Sequence, residues 1–402
     1  MPMDYSIKTG TGQGGTHNPL KICAPVLGLW EESHLGGAVY DFHNLKGLAA
    51  LGMEVHIPVV YHLECRQQPG WKIYRIPLRR GYKVGPILVN LFFFIWVVRI
   101  WKKTRFHILM VRSPEYLGYF SWLVHRLFPV KTVGLYCHLE RENRVQRWFN
   151  QKIAHSFSFI VVPSQFTKRQ LMGRYRLPEE KIGVVYHGVP ESLLTSEKAG
   201  NPSVLKEMPL DGKKVLLYVG ALSARKNLFF LLDVFEEAKK EHPDILLILC
   251  GGRAHPKDRY DMRLRSEVKK RELEESVLFS GERTSLEKTA LFHRADIFVF
   301  PSLLEGFGFS VSEAMATGKP IVCSNRASLP ELIENEVTGL LADADDPAAF
   351  AAQLGRLLED GVLCRRLGEN ARLVAEKRFT WHRSSEQFSE FFKELLSQGG
   401  RP

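Results

Sequence analysis

Two glutamates, Glu305 and Glu313, lie eight positions apart in the stretch Phe300–Pro320, which reads FPSLLEGFGFSVSEAMATGKP. Between them, Gly306 and Gly308 leave the backbone bare, so that its N–H groups can approach a ligand closely. Free N–H groups at the start of a helix favour an anion, above all phosphate. Carboxylates accept hydrogen bonds from sugar hydroxyls. A nucleotide-sugar presents both groups, although two solvated glutamates on an ordinary strand-to-helix turn would show the same spacing.

The elements expected around this stretch are a strand, a loop and a short helix. The apolar residues Ile297–Phe300 predict a buried strand end, and the Pro-Ser pair after them terminates it. Ser310 and Ser312 are good N-cap residues for the helix. Gly318 predicts its C-terminal cap, and Pro320 prevents its continuation.

A second group of polar residues lies in the segment Val219–Asn227, which reads VGALSARKN. A predicted strand ends at Gly220, and the loop after it carries Arg225 and Lys226 side by side. Arginine binds phosphate through two parallel hydrogen bonds, and lysine adds a point charge. The pair predicts a phosphate site, with a solvated basic pair before a helix as the alternative. Because Arg225 and Glu305 fall on loops, we expect their replacement to reduce turnover and to affect folding little.

The composition indicates a two-domain protein with an unevenly distributed charge. The chain of 402 residues is long enough for two hydrophobic cores. Residues 1–190 carry 25 Lys and Arg against 11 Asp and Glu, a net charge of +14, whereas residues 191–402 carry 30 against 33. A basic first half predicts an anionic partner. Because no nucleic-acid motif is present, we expect an anionic membrane surface or a phosphorylated acceptor, and no nucleic acid.

The cysteines and histidines predict neither a disulfide framework nor a metal site. The six cysteines form no C-x-x-C pair, and the 14 histidines form no H-E-x-x-H motif or other ligand cluster. Residues 1–20 contain no apolar segment that could serve as a signal peptide, so we expect a flexible tail and a cytoplasmic protein.

Apolar runs alternate with segments of helical periodicity, which predicts parallel sheets and an α/β fold. In the second half the predicted strands are 214–220, 245–250, 277–280, 297–300 and 321–324. In the first half they are 21–27, 54–60, 71–77, 106–111, 131–137 and 159–162. The predicted organisation is a tail (1–20), a first domain (21–190), a linker (191–212), a second domain (213–378) and a C-terminal helix (379–402) that crosses back towards the first domain.

The stretch PSLLEGFGFSVSEAMATGKPIV resembles the E-x7-E signature of retaining glycosyltransferases with the GT-B fold, specifically glycosyltransferase family 4. The segment Leu177–Val189 resembles the end of the first domain in that family, with His187 in place of an asparagine. The resemblance covers most of residues 21–395. It implies two Rossmann-like, doubly wound parallel-sheet domains that face a cleft, the first for the acceptor and the second for the nucleotide-sugar.

The resemblance also implies roles for individual residues. Arg225 and Lys226 would bind the donor diphosphate, Glu313 the ribose hydroxyls, and Glu305 the transferred sugar. Backbone N–H groups would line the sugar and phosphates at Gly306, Phe307, Gly308 and Phe309. Three further glycines would lie at the cleft, namely Gly36, Gly37 and Gly220. His138, at a predicted strand end, would stand near the donor sugar as a catalytic residue, with a purely structural role as the alternative.

The implied reaction is metal-independent, retaining transfer of a sugar from a nucleoside-diphosphate-sugar to a glycan or lipid-linked acceptor. The implied setting is cell-envelope or exopolysaccharide biosynthesis, with no cofactor besides the donor substrate. Two alternatives share the architecture: a nucleotide-sugar 2-epimerase, and a non-catalytic protein that binds nucleotide-sugars.

The segment Ile87–Val98 is apolar except for Asn90 and includes Phe92, Phe93, Phe94 and Trp96. Basic residues flank it at Arg79, Arg80, Lys83, Arg99, Lys102, Lys103 and Arg105. The run is shorter than the roughly 20 residues that span a bilayer. It is either a helix of the first domain's core or a helix lying at the inner face of the plasma membrane, which would make the protein peripheral.

Overall fold

The computed structural model describes residues 19–30, 36–59, 63–64, 67–77, 86–112, 118–137, 139, 142–195, 203–206, 208–255 and 257–397. These residues form two parallel sheets, one of seven strands and one of six. Helices connect most of the successive strands, as is usual for parallel pairing, and the short strand Leu63–Glu64 lies between Glu54–Val59 and Trp71–Arg75. The predicted α/β class with two Rossmann-like domains is therefore confirmed.

The first sheet has the strand order β5-β3-β1-β6-β7-β8-β9. Its strands are β1 (Lys21–Cys23), β3 (Glu54–Val59), β5 (Trp71–Arg75), β6 (Ile108–Arg112), β7 (Lys131–Leu135), β8 (Phe159–Val162) and β9 (Ile182–Val184). A separate parallel pair joins β2 (Leu29–Trp30) to β4 (Leu63–Glu64). Helix α1 (Gly36–Ala50) covers one face of the sheet. The opposite face packs against α2 (Pro86–Thr104), α3 (Ser121–Leu127), α4 (Arg144–Ser156) and α5 (Gln165–Tyr175).

The second sheet has the order β12-β11-β10-β13-β14-β15. Its strands are β10 (Lys214–Val219), β11 (Ile245–Cys250), β12 (Val277–Gly281), β13 (Ile297–Phe300), β14 (Ile321–Ser324) and β15 (Leu340–Ala342). The remaining helices are α6 (Glu191–Leu194), α7 (Ser203–Lys206), α8 (Leu228–Glu241), α9 (Tyr260–Lys270), α10 (Ser285–Arg294), α11 (Phe309–Ala316), α12 (Leu329–Leu332), α13 (Pro347–Glu359), α14 (Gly361–Arg378) and α15 (Trp381–Ser397). Every residue of β11, β13 and β14 is buried, which explains their continuous apolar sequences.

The last helix, α15, packs against α1 of the first sheet. Phe388 and Phe392 of α15 are buried in the same core cluster as Phe42 of α1. Gly47 permits this contact, because a Cβ atom there would lie 2.0 Å from the Ser385 Oγ atom. The two helices therefore approach more closely than a larger residue at position 47 would allow.

Helix α2 contributes to the core through one face only. Val89, Phe93 and Val97 are buried, whereas Leu88, Leu91 and Ile95 are exposed. The segment is thus a core helix that also presents an apolar stripe to solvent, while Arg79, Arg80 and Lys83 lie outside the described residues. No helix in the described ranges is both long and apolar enough to cross a bilayer.

Candidate active site

The strand order of the second sheet brings the two polar loops together. Strands β10 and β13 are hydrogen-bonded neighbours, so the loops after their carboxyl ends lie side by side. Arg225 and Lys226 lie on a single 3-10 turn, Ala224–Lys226. The Leu303 N–H donates to the Arg225 carbonyl at 2.9 Å, which fixes one loop against the other.

Glu305 is the centre of a hydrogen-bonded cluster of charged groups. Its Oε1 atom accepts from Lys226 Nζ at 2.6 Å, from Arg225 Nη1 at 2.9 Å and from Ser302 Oγ at 2.6 Å. Burial favours the neutral carboxyl, but the two cations outweigh it and hold the pKa of Glu305 below its usual value. Glu305 is therefore an anion with fixed position and orientation.

The two cations differ in their exposure. Lys226 is only 5% exposed, and its Nζ lies 4.6 Å from the centroid of the Phe300 ring. The Arg225 side chain is 48% exposed and also donates to the Leu304 carbonyl. The interpretation of this pair as two solvated cations is thus wrong for Lys226. With Glu305 the cluster has one net positive charge, and Arg225 is the part that an incoming anion can reach.

The loop after Glu305 leaves a run of backbone donors unused. The N–H groups of the five residues 306–310 donate to no acceptor in the described part of the chain. The run ends in the first turn of α11, whose helix dipole points its positive end at the same place. Consecutive free N–H groups of this kind form an anion-binding concavity.

The cap of α11 differs from the prediction. Gly308 occupies the N-cap position with φ 109°, which a residue with a side chain rarely adopts. Ser312 lies inside the helix, where its hydroxyl donates to the Phe309 carbonyl. The predicted capping by Ser310 or Ser312 is therefore wrong, whereas Gly318 does follow the helix end with φ 68°.

Glu313 projects from α11, eight positions after Glu305. Its side chain is half-buried, and its carboxylate accepts no hydrogen bond from the described residues. Burial raises the pKa of Glu313, and Lys288 on α10 opposes the shift. An unpaired, partly desolvated carboxyl group is suited to accept hydrogen bonds from hydroxyl groups.

Gly37, in the first turn of α1, lies directly over the ion pair of Arg112 and Asp41. A Cβ atom at Gly37 would lie 2.6 Å from Arg112 Nη1. Arg112, at the carboxyl end of β6, donates from Nε to Asp41 Oδ2 at 2.6 Å. Burial raises the pKa of Asp41 to about 6, although Arg112 opposes the shift. A side chain at position 37 would therefore have to displace this guanidinium, and Gly36, its neighbour, is the first residue of the same helix.

Gly220 lies at the carboxyl end of β10, next to Gly251 at the end of β11. A Cβ atom at Gly251 would lie 2.0 Å from the Gly220 carbonyl oxygen. A Cβ atom at Gly220 would lie 2.6 Å from Tyr218 Oη. Both positions therefore need glycine for close backbone approach. His138, the remaining predicted site residue, lies outside the described residues.

The glycine loop is attached to the first domain. The Gly306 carbonyl accepts from Ser164 Oγ at 2.6 Å and from Thr167 Oγ1 at 3.2 Å. Glu331 accepts from the N–H groups of Gln165 and Phe166 at the start of α5. The carboxyl ends of the two sheets therefore face each other. Sequence reasoning missed these residues because contacts between elements about 140 positions apart leave no local pattern.

His187 packs within the aromatic residues that join the domains. Its ring stacks on Phe309, with centroids 4.7 Å apart, and also contacts Phe307 and Tyr40. Burial lowers the pKa of His187 to about 3. Its Nδ1 atom has no hydrogen-bond partner among the described residues. The histidine is therefore a neutral packing residue.

One group of potential metal ligands occurs in the described residues, away from these loops. Glu241, His242 and Glu359 bring their ligand atoms within 4.8 Å of one another at the ends of α8 and α13. Both carboxylates are exposed, and the group has no contact with the loops that carry Glu305.

Two parallel α/β domains with facing carboxyl edges and an anion-binding loop define the GT-B architecture. Residues 205–374 match the family model described as Glycosyl transferases group 1, and residues 36–193 match the one described as Glycosyltransferase Family 4. The chain belongs to the group 1 glycosyltransferases, with activity of the hexosyltransferase class.

Curated relatives and solved structures agree with this assignment. The chain is 29% identical to a D-inositol 3-phosphate glycosyltransferase of Corynebacterium jeikeium (strain K411), over 69% of this chain and 67% of the relative. It is 27% identical to the O-antigen chain mannosyltransferase B of Escherichia coli, over 75% and 77%. Across five bacterial relatives the match spans 62–70% of their length.

The fold is shared with solved glycosyltransferase structures. A glycosyltransferase from Rickettsia africae ESF-5 has a TM-score of 0.77 at 20% identity, covering 94% of this chain and 99% of its own. Anabaena Alr3699/HepE in complex with UDP-glucose has a TM-score of 0.74 at 19% identity, covering 93% and 99%.

Proposed function

We propose that the protein transfers a sugar from a nucleoside-diphosphate-sugar to a glycan or lipid-linked acceptor, with retention at the anomeric carbon and without a metal ion. The observation that carries the proposal is the combination of the Arg225–Lys226–Glu305 cluster with the free N–H groups of residues 306–310. Together they provide fixed donors for a diphosphate and a fixed carboxylate for sugar hydroxyls.

The comparisons support this donor class and acceptor class. Alr3699/HepE was solved with UDP and with UDP-glucose, which favours a nucleoside-diphosphate-sugar donor. The named relatives act as a D-inositol 3-phosphate glycosyltransferase and an O-antigen chain mannosyltransferase. A role in cell-envelope or exopolysaccharide biosynthesis is the corresponding proposal for this chain.

The proposed chemistry depends on stabilising the leaving group. The bond between the anomeric carbon and the diphosphate oxygen breaks, and negative charge grows on the diphosphate. Arg225 and the α11 N–H groups stabilise that charge, and donors of this kind contribute roughly 3–4 kcal/mol each. Glu305, with its Oε1 atom already accepting three hydrogen bonds, is better suited to orient the sugar than to attack it. The acceptor oxygen then bonds on the face that the diphosphate leaves, and its proton passes to the departing phosphate.

A direct test follows the anomeric configuration of the product by NMR, with a panel of nucleotide-sugars and with EDTA present. Retention and EDTA-resistant turnover are expected. An inverted product, or activity lost in EDTA and restored by Mg²⁺ or Mn²⁺, contradicts the mechanism. Epimerised sugar formed from donor alone would instead identify a 2-epimerase, and binding without turnover would identify a non-catalytic protein.

The exposed stripe of α2 supports a further part of the proposal, namely docking on an anionic membrane. Leu88, Leu91 and Ile95 face solvent, and Arg99 and Lys102 continue the same side of the helix. An apolar stripe followed by cations suits a helix lying at a bilayer interface. Each Lys or Arg near an anionic surface contributes about 1 kcal/mol. Docking here would bring the first domain to a lipid-linked acceptor.

The docking proposal is tested by flotation with vesicles that contain or lack an anionic lipid. We expect binding to anionic vesicles at low salt, weakened by Leu88→Ser/Leu91→Ser. Failure to bind anionic vesicles at low salt contradicts docking. Transfer to soluble sugars, with none to polyprenyl or glycolipid acceptors, contradicts the lipid acceptor and leaves the glycosyl transfer itself intact.

A further inference from the structure

Helix α4 projects three large apolar side chains into solvent. Val145, Trp148 and Phe149 are 66%, 55% and 51% exposed. Among the tryptophan and phenylalanine residues whose side chains are described, only Trp148, Phe149 and Trp122 of α3 are exposed by 36% or more. Exposed aromatic residues that cluster in this way mark an interaction surface. We call Val145, Trp148 and Phe149 the α4 apolar patch.

The patch belongs to a well-ordered part of the helix. Asn143 and Gln146 form a reciprocal capping box at the first turn. Further along the helix, Ile153 and Ala154 are buried against the sheet and anchor it. The Trp148 and Phe149 rings contact each other edge to face, with centroids 5.0 Å apart. The exposure is therefore a property of a formed, capped helix and not of a frayed end.

The charges around the patch specify an anionic partner. Arg144, Arg147 and Lys152 lie on the helix, which contains no Asp or Glu between residues 144 and 156. Glu142, just before the helix, accepts from the Asn150 side chain at 2.5 Å and is directed inward. Cations interleaved with Trp and Phe are typical of helices that bind the interface of anionic bilayers.

The position of the patch relates it to the site. Helix α4 begins after the carboxyl end of β7, a neighbour of β8. Ser164, which follows β8, contacts Gly306 of the glycine loop, so this edge of the sheet faces the second domain. Helices α2 and α4 cover the same face of the first sheet. The α4 apolar patch therefore lies on this face, at the end that is beside the cleft.

We infer that the α4 apolar patch inserts into the interface of an anionic lipid bilayer beside the cleft, as a contact separate from α2. This inference rests on the proposed membrane docking. With both helices at the surface, the mouth of the cleft is held against the bilayer. A lipid-linked acceptor then reaches the site without leaving the membrane.

The test compares two double variants in vesicle flotation with phosphatidylcholine, alone or with about one third phosphatidylglycerol. Trp148→Ser/Phe149→Ser should weaken binding to the anionic vesicles by about tenfold or more, because binding scales with buried apolar area. The matched control, Leu286→Ser/Leu373→Ser, removes two leucines of the second domain that are also more than half exposed, and should bind like wild type.

Quenching of tryptophan fluorescence by brominated lipids provides a second, site-specific measurement. Trp148→Phe keeps the patch apolar, so this variant should still bind, and the quenched emission should fall by the contribution of Trp148, leaving that of the α2 tryptophans Trp96 and Trp101. The inference is overturned if the Trp148→Ser/Phe149→Ser variant binds as well as wild type, or if quenching is unchanged in Trp148→Phe. Neither result would contradict the docking of α2. Self-association in sedimentation velocity that the Ser/Ser variant abolishes would show a protein interface and also overturn it.

Failure of the inference and failure of the proposed function give different results. Transfer to a short-chain, water-soluble acceptor reports on the glycosyltransferase alone, and the Ser/Ser variant should retain it. Loss of that transfer would mean that the patch supports the fold or the site, which contradicts a membrane role.

Discussion

Replacing Glu305 with alanine should destabilise the second domain strongly, because Lys226 would remain buried without its carboxylate. The Lys226 Nζ lies 2.6 Å from Glu305 Oε1. At that separation and an effective dielectric constant near 20, the gross attraction is about 6 kcal/mol. Part of it offsets the desolvation of both ions, and breaking a buried pair on one side costs about 3–5 kcal/mol. For a domain of this size that corresponds to a fall in Tm of roughly 6–20 °C.

The assay is urea and thermal unfolding of Glu305→Ala, Lys226→Met and the double variant. Removing both ions removes the uncompensated charge, so the double variant should recover most of the stability lost in Glu305→Ala. The double variant should remain without turnover, as should each single variant. Glu237→Ala is the control, since its exposed pair with Lys240 on α8 contributes only about 0.3–0.5 kcal/mol. Two results would refute this prediction. One is a free energy of unfolding of Glu305→Ala within about 1 kcal/mol of wild type, and the other is a double variant no more stable than Glu305→Ala.

Three further predictions concern single residues. Arg225→Ala should lower kcat by roughly 10²–10³ with nearly unchanged Tm, because the side chain is half-exposed; near wild-type turnover would contradict its role. Gly37→Ala should cost roughly 1–3 kcal/mol of unfolding free energy, since its Cβ would meet Arg112, and an unchanged urea midpoint would show that the guanidinium moves freely. The pKa of His187 is about 3 in the fold and near 6.5 when unfolded, so stability should fall as pH drops below about 6.5, by up to about 1.4 kcal/mol per pH unit. His187→Phe should flatten that fall in urea titrations between about pH 6 and pH 4, and an identical pH profile would contradict a buried neutral histidine.

The burial of Glu305 contradicts an expectation drawn from the sequence. On a loop between a strand and a helix, Glu305 was expected to affect turnover, and to affect folding little. In the structure it is 8% exposed and neutralises a buried lysine. The sequence shows both residues but not their pairing, because they come from loops about 80 positions apart.

The strands of the second domain were predictable because they are buried on both faces. The predicted ranges 245–250, 297–300 and 321–324 coincide with β11, β13 and β14. The first strand, predicted for 21–27, ends at Cys23. Ala24 and Val26 still donate to β3 carbonyls, but Pro25 has no N–H and interrupts the ladder. Continuous apolar runs locate such strands, and single prolines decide where they end.

The E-x7-E spacing located the site, but the conformation of the loop follows from distant contacts. Gly308 takes φ 109°, and a Cβ atom there would lie 3.0 Å from Leu329 Cδ2, so the glycine and not a serine begins the helix. Phe307 is buried against His187 and Phe379, which belong to the segments joining the domains. No local sequence pattern encodes these neighbours.

The same contacts tie donor binding to the relative position of the domains. The glycine loop is held from the first domain by Ser164 at the Gly306 carbonyl, and from the interdomain segment by His187 stacked on Phe309. The N–H groups left free lie between these two attachments. A ligand that orders the N–H groups must therefore act on the same loop that the first domain holds. We therefore predict that closure of the domains and organisation of the proposed donor site share one element, as in enzymes whose cleft closes around the substrate.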